Sequence, residues 1–453
     1  MKFRFTAEEL DKLEEGIFDD GYAKEIRDIA IKSGANPVST YVIALARNLA
    51  RIPPTVVLPP LGATGNPASL NNMLLLVGDS GSGKNLTVGV AASLVPYPAG
   101  DATNPFKVGV GTGEGLVKAC VEYEKDEDGA IKKPYVAVNR KFVYAQNTEA
   151  SSLDRELKRS ESKAAAIICD LWSGDYVGPV SAGDPDRKVE AHATRIVWVL
   201  GIQPANLSGF TQELGTGLPQ RLTWLPCIEP RMPKTRATPL DVLPRMPKIP
   251  ASSFWTGQSE FKILPVDDAI LDELNHRQYL MAIGEGDELD GQRGLVQEKL
   301  AAAIALGDGH FGVELEHWFK AEAILRVSDA TRDRALECHR ERAEADAAEA
   351  EVRKGRARGV GRFEEKLAES HAEEEFVERV VEMQDRIKTA LADGPMKNGD
   401  LRAACRATNR LNSAWRSAMT SLETAGVIAR YPVGATGEYG KVWQLVANIS
   451  ESA

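Results

Sequence analysis

Apolar residues recur at helical spacing through positions 22–33 and 38–49, so residues 7–52 read as helices. The pairs Pro53-Pro54 and Pro59-Pro60 then bracket an extended piece. From there to about Pro226, short apolar runs alternate with helical stretches, the order of an α/β core. Its expected strands are 73–77, 107–110, 142–145, 195–200 and 221–225. Residues 226–250 hold seven prolines and read as an extended connector. Amphipathic helices are expected at 294–306 and 313–336, the second continuing through an Ala/Glu/Arg-rich run to about 353. The basic, glycine-containing stretch 352–362 interrupts that pattern and reads as a hinge. Beyond it come a helix at 373–392, shorter helices at 399–404 and 409–425, Gly426 at a C-cap position, and strands at 427–432 and 441–446. That order is the order of a winged helix-turn-helix.

At 453 residues the chain exceeds one compact core, so several domains are expected. Hydrophobic content of 43% and charged content of 26% fit a soluble globular protein. No apolar run approaches the ~18 residues that span a bilayer, and the start lacks a signal-peptide core. No membrane association is therefore expected. Cys120, Cys169, Cys227, Cys338 and Cys405 lie far apart without paired spacing, which argues for a cytoplasmic protein and against structural zinc. The net charge of −10 does not exclude nucleic acid, because residues 394–447 carry seven Lys/Arg against three acids, a local +4.

The most specific chemistry lies at the end of the first expected core strand. Gly78, Asp79, Ser80, Gly81, Ser82, Gly83 and Lys84 match the phosphate-binding P-loop form G-x-x-x-x-G-K. Such a loop aims backbone N–H groups and a helix N-terminus at one spot, which suits a triphosphate, and Lys84 can reach its β/γ-phosphates. Asn85 stands where Ser or Thr ordinarily offers a hydroxyl to Mg²⁺, and Leu86 opens the following helix. ATP and Mg²⁺ are the expected cofactors, with Asn85 and Glu149 as candidate metal contacts.

Glu149 is the first choice for the carboxylate that a P-loop ATPase needs on a neighbouring strand, and Asp154 the second. Gln203 follows the expected strand 195–200, where a polar residue can meet the γ-phosphate or the attacking water. Arg221 precedes the last core strand, and such an arginine can reach a neighbouring subunit's phosphate or form a surface salt bridge. Residues 176–181 and 188–193 flank a Gly/Asp/Pro turn and read as a hairpin able to carry Arg187 and Lys188 to DNA, or to leave them solvated. In the C-terminal unit Leu411, Ala414, Trp415, Ala418, Met419 and Leu422 fall at core spacing. Asn412, Ser413, Arg416 and Ser417 are left outside as a recognition face, with Arg430 and Lys441 as further DNA contacts.

With these parts in order, the chain resembles a family of phage- and plasmid-borne replication ATPases of the AAA+ type, found alone or linked to primase–polymerases. The resemblance covers about 22–332: IAIKSGANP, VGDSGSGKN, GTGEGL (111–116), DLWSGD (170–175), VLGIQPANL (199–207) and GLPQRLTWLP (217–226). Residues 290–309 look like the helical lid of minichromosome-maintenance-type helicases. The resemblance implies a P-loop AAA+ core with a helical N-terminal region, a helical lid and the winged helix. Its divisions are 1–68, core 69–230, connector 231–264, lid 265–351, hinge 352–372 and winged helix 373–448. It implies Arg221 at the arginine-finger position, Arg293 at the sensor-2 position and Glu149 in place of an acidic pair whose first acid is missing. The function implied is a ring-forming, hexameric ATP-driven DNA motor, a replicative helicase of a mobile element acting on single-stranded or forked DNA. The alternative is an ATP-switched initiator or regulator that does not unwind. A small-molecule kinase would lack the lid and the tail. No polymerase acids precede the P-loop, so a primase or polymerase would be a separate partner.

Overall fold

The computed structural model describes residues 2–19, 21–60, 66–124, 137–159, 162–178, 188–235, 261–286, 291–432 and 441–446. The chain divides into two units, Met1–Ala345 and Asp346–Ala453.

The first unit opens on α1 (Ala7–Leu13), whose Thr6 and Glu9 form a reciprocal capping box. Helix α2 (Gly21–Ser33) follows, then α3 (Pro37–Leu49), which starts where Asn36 accepts the Ser39 amide and Pro37 fills the first turn. Every residue of α3 is buried, which makes it a central strut of the core. Strands β1 (Val56–Leu58) and β2 (Ala68–Ser69) form a small side sheet.

The main sheet begins with β3 (Asn72–Val77), followed by α4 (Lys84–Leu94), β4 (Phe106–Val108) and α5 (Gly113–Cys120). A short pair, β5 (Val121–Tyr123) and β6 (Ala137–Asn139), precedes β7 (Phe142–Asn147), α6 (Ser151–Leu157) and α7 (Ala164–Ser173). Strand β8 (Arg195–Ile202), α8 (Ser208–Gln212) and β9 (Thr223–Pro226) complete it. The five strands lie in the order β4-β7-β8-β3-β9, all parallel, so the α/β expectation holds and each expected core strand is present. Strands β3 and β8 are buried along their whole length, which is why they read as unbroken apolar runs.

The chain leaves β3 towards the β4 edge and afterwards works back across the sheet. Right-handed crossovers therefore put α4, packed with α2 and α3, on one face and α5–α8 on the other. The outgoing connections diverge between β3 and β8, which opens a crevice at the carboxyl ends of those strands. Arg195, fully buried at the head of β8, donates to the carbonyls of Ile52, Pro53 and Val56 and so ties the N-terminal helices to the sheet. Burial pulls its pKa down to about 9.

Strand β10 (Lys262–Ile263) pairs with β1, and α9 (Asp268–Ala282) and α10 (Arg293–Asp308) lead to α11 (Leu315–Ala392). This last helix corrects one expectation. Residues 352–362 do not interrupt it: α11 runs for 78 residues through Gly355, Gly359 and Gly361. Each glycine costs about 1 kcal/mol relative to alanine, and the surrounding Ala, Glu, Arg and Lys are strong helix formers with i,i+4 pairs such as Glu349–Arg353. Of the proline-rich connector, residues 236–260 lie outside the described residues. Its start is pinned by Arg231, which pairs with Glu229, Glu14 and Asp11.

In the second unit the end of α11 packs Met383, Ile387 and Leu391 against β11 (Met396–Lys397), α12 (Asn398–Ala404), α13 (Asn412–Thr424), β12 (Ile428–Pro432) and β13 (Lys441–Leu445). The three strands form an antiparallel sheet in the order β11-β13-β12. Gly426 takes a positive φ of 68° after α13, as its C-cap position requires. Among the described residues no helix is long and apolar enough to cross a membrane.

Candidate functional site

The glycine-rich loop joins β3 to α4 at the carboxyl edge of the sheet. The Gly78 amide donates to the Ile202 carbonyl at 3.1 Å, which fixes the loop's start against β8. Gly81 and Gly83 have φ of 78° and 95°, a left-handed path that side chains oppose. At Gly78 a Cβ would lie 2.1 Å from Ser82 Oγ, so the loop closes on itself only with glycine there.

No side chain caps α4, and the N–H groups of its first turn have no intrahelical acceptor. They face the loop together with the positive helix end, an arrangement able to hold a phosphate-sized anion. Lys84 is buried with its ammonium 2.7 Å from the Gly78 carbonyl and 3.1 Å from that of Asp79. Ser82 Oγ is buried without a hydrogen-bond partner. Ser80, Asn85 and Leu86 are exposed. Beside the loop, Gly34 in the α2–α3 turn lies against Leu86 and the exposed Met232, forming an apolar ledge. Cys227, next to Lys84, stays a thiol: burial pushes its pKa up to about 12 despite that lysine.

Glu149 and Gln203 are brought together. They follow β7 and β8 on the same edge, with Gln203 Nε2 3.4 Å from Glu149 Oε1. Strand β8 alone separates β7 from β3, so the Glu149 turn starts about 10 Å from the glycine-rich loop. Asp154 does not belong to this edge chemistry. It is buried, accepts the Gly209 amide at 2.6 Å and pairs with Lys158 at 2.6 Å, so its carboxylate serves to fasten α6 to α8.

Arg221 lies at the opposite, amino-terminal edge of the sheet, in the turn before β9. Its guanidinium is folded inward: Nη1 donates to the Gly217 carbonyl at 2.9 Å, and the group stacks 5.5 Å from the Trp172 ring centroid. It does not project from the fold as a finger would. Arg293 heads α10 and pairs with Asp329 of α11. Asp329 and Arg342 are thirteen residues apart on one helix, about 20 Å. Arg342 is the one at the loop: its Nη2 lies 3.0 Å from Asp79 Oδ1, while the Phe3 amide donates to Asp79 Oδ2 at 3.3 Å. Sequence reading missed both partners because they come from 76 and 263 residues away.

The hairpin expected around residues 176–193 has its base in place, with Val177 and Val189 exchanging two 2.9 Å backbone bonds. Lys188 pairs with Glu190 at 2.8 Å; Arg187 lies outside the described residues. On α13 the expected core positions Ala414, Trp415, Ala418, Met419 and Leu422 are buried. Ser413 and Arg416 are exposed, with Ser417 half-buried on that side. Asn412 is already engaged, its Oδ1 accepting from Arg402 at 3.1 Å. Arg430 stacks 4.2 Å above the Trp443 ring, and of Lys441 only the backbone is described.

Among the described residues one other cluster, His310, Glu316 and His317, gathers metal-ligand types. His317 Nδ1 accepts the Glu314 amide at 3.0 Å, which leaves the ring proton on Nε2, the nitrogen facing Glu316. A ligating histidine needs the reverse tautomer, so the cluster is a helix-start contact. Compared with models of known families and with curated protein sequences, the chain matches none.

Proposed function

We propose that the chain is an ATP-hydrolysing DNA motor with a P-loop AAA+ core, a helical lid and a C-terminal winged helix, working as a ring-forming replicative helicase of a phage or other mobile element. The observation that carries this reading is the glycine-rich loop at the crevice of a parallel sheet, with Lys84 at its head and uncapped α4 amides around it. A triphosphate would replace the Gly78 and Asp79 carbonyls as the partner of Lys84. The Asn85 amide oxygen and the Glu149 carboxylate are the groups that would face Mg²⁺, which when bound would neutralise phosphate charge. Glu149, oriented by Gln203, would take the proton of the attacking water. The exposed Arg416 and the local +4 charge of residues 394–447 support contact with DNA phosphates.

Single-turnover and steady-state ATP hydrolysis with and without single-stranded DNA test this. DNA-stimulated turnover that survives Lys84→Ala would overturn it. The second reading, an ATP-switched initiator or regulator, is favoured by the inward-folded Arg221, whose guanidinium is not extended towards a neighbour. A strand-displacement assay separates the two, because the switch binds nucleotide and DNA but displaces nothing. Particle size with ATP and single-stranded DNA decides the ring.

A further inference from the structure

We infer that Asp79, Arg342 and the Phe3 amide form a latch on the glycine-rich loop, and that Arg342 is a positioning residue which exchanges the Asp79 carboxylate for the terminal phosphate of an entering nucleoside triphosphate. The inference rests on the nucleotide reading above and deepens it. Asp79 ties the head of α4 to two remote parts of the chain, α11 and the N-terminal segment. Its carbonyl accepts from Lys84 at 3.1 Å, its Oδ1 from Arg342 at 3.0 Å and its Oδ2 from the Phe3 amide at 3.3 Å. The loop therefore satisfies its own cation, while its anion is satisfied from α11 and the N-terminal segment.

A carboxylate at the second position of a phosphate-binding loop repels an incoming anion, and the ion pair with Arg342 offsets the Asp79 charge. A terminal phosphate carries more charge and more acceptor oxygens than a carboxylate and suits the planar guanidinium fork. Arg342 is held ready for the exchange by its neighbours on α11. One turn earlier, the His339 ring contacts the Pro204 carbonyl at 3.1 Å, just after Gln203. Two turns earlier, Arg334 pairs with Glu9 and donates to the Arg4 carbonyl, which fixes the N-terminal segment carrying Phe3. Triphosphate and diphosphate are thereby distinguished, since only the former brings the terminal phosphate.

The test is equilibrium binding of ATP and ADP, read by displacement of a fluorescent ATP analogue from the full chain. The set is wild type, Asp79→Asn, Arg342→Ala, Arg342→Lys and the Asp79→Asn/Arg342→Ala double variant, with Lys84→Ala as reference. Unfolding midpoints verify that each variant is folded. Asp79→Asn should tighten ATP by about 5- to 10-fold, and Arg342→Ala should weaken ATP by about 10-fold and ADP by much less. Arg342→Lys should recover part of the loss, which a purely structural pair would not show as an ATP-over-ADP difference. The double variant should show non-additive effects. Unchanged or weakened ATP binding in Asp79→Asn, or equal losses for ATP and ADP in Arg342→Ala, overturns the latch alone, provided wild type binds and Lys84→Ala does not. A wild-type chain that binds neither nucleotide overturns the nucleotide reading and the latch with it.

Discussion

Gln203 Nε2 sits 3.4 Å and 3.5 Å from the two carboxylate oxygens of Glu149, astride the ends of adjacent parallel strands. The approach depends on Gly201, where a Cβ would lie 2.3 Å from the Thr148 carbonyl. Any side chain at 201 would push the Glu149 turn away from β8. Under the proposed chemistry, Glu149→Gln should lower ATP turnover by about 10²- to 10⁴-fold with nucleotide affinity retained. Gln203→Ala, which removes only the orienting amide, should cost less. Turnover and binding measured on the same preparations check both, and near-normal turnover in Glu149→Gln removes it as the base.

Asp154 gives the contrasting case. Its buried carboxylate bridges Gly209 and Lys158, so Asp154→Ala should destabilise the first unit by about 2–4 kcal/mol through the unpaired Gly209 amide. Nucleotide affinity at temperatures where the variant stays folded should be unchanged. Denaturant unfolding alongside nucleotide binding separates the roles of the two acids.

Glu298 predicts a pH effect. It is fully buried on α10, neither carboxylate oxygen has a hydrogen-bond partner, and burial pushes its pKa up to about 8. Its folded pKa lies above the unfolded one of about 4.5, so the folded state holds the proton more tightly. Stability is therefore full below about pH 4.5 and falls as pH rises to about 8. Glu298→Gln should remove this contribution, so its advantage over wild type should grow between pH 5 and 8. Thermal unfolding at those two pH values reads it; a difference that does not change with pH contradicts the assignment.

Arg406 takes a φ of 52°, a left-handed conformation that suits glycine, in the turn after α12. Arg406→Gly should stabilise the second unit by about 1 kcal/mol. If its exposed guanidinium meets a DNA phosphate, the same change should weaken DNA binding and reduce the salt slope by about one. Unfolding midpoints and a salt series on the full chain measure the two effects separately.

Hydrophobic pattern and turn chemistry carried the local structure. Unbroken apolar runs marked β3 and β8 because both faces of those strands are covered, and glycine spacing marked the loop because its φ values admit little else. The amphipathic face of α13 was legible for the same reason, since its core residues recur at helical spacing. The expected break at 352–362 failed because local glycine cost is small against the helix formers around it. Chain order could place Arg293 on a helix but not say that the helix directs it to Asp329. Nor could it show that Arg221 folds against Trp172, that Asp154 is consumed by Gly209, or that Arg342 and Phe3 close on Asp79. The sequence by itself determined the core strands, most of the helices and the loop, which depend on nearest neighbours and burial. Tertiary structure decided the partners of each charged side chain, because a guanidinium or carboxylate pairs with whatever the packed elements bring within about 3 Å, however distant in the chain.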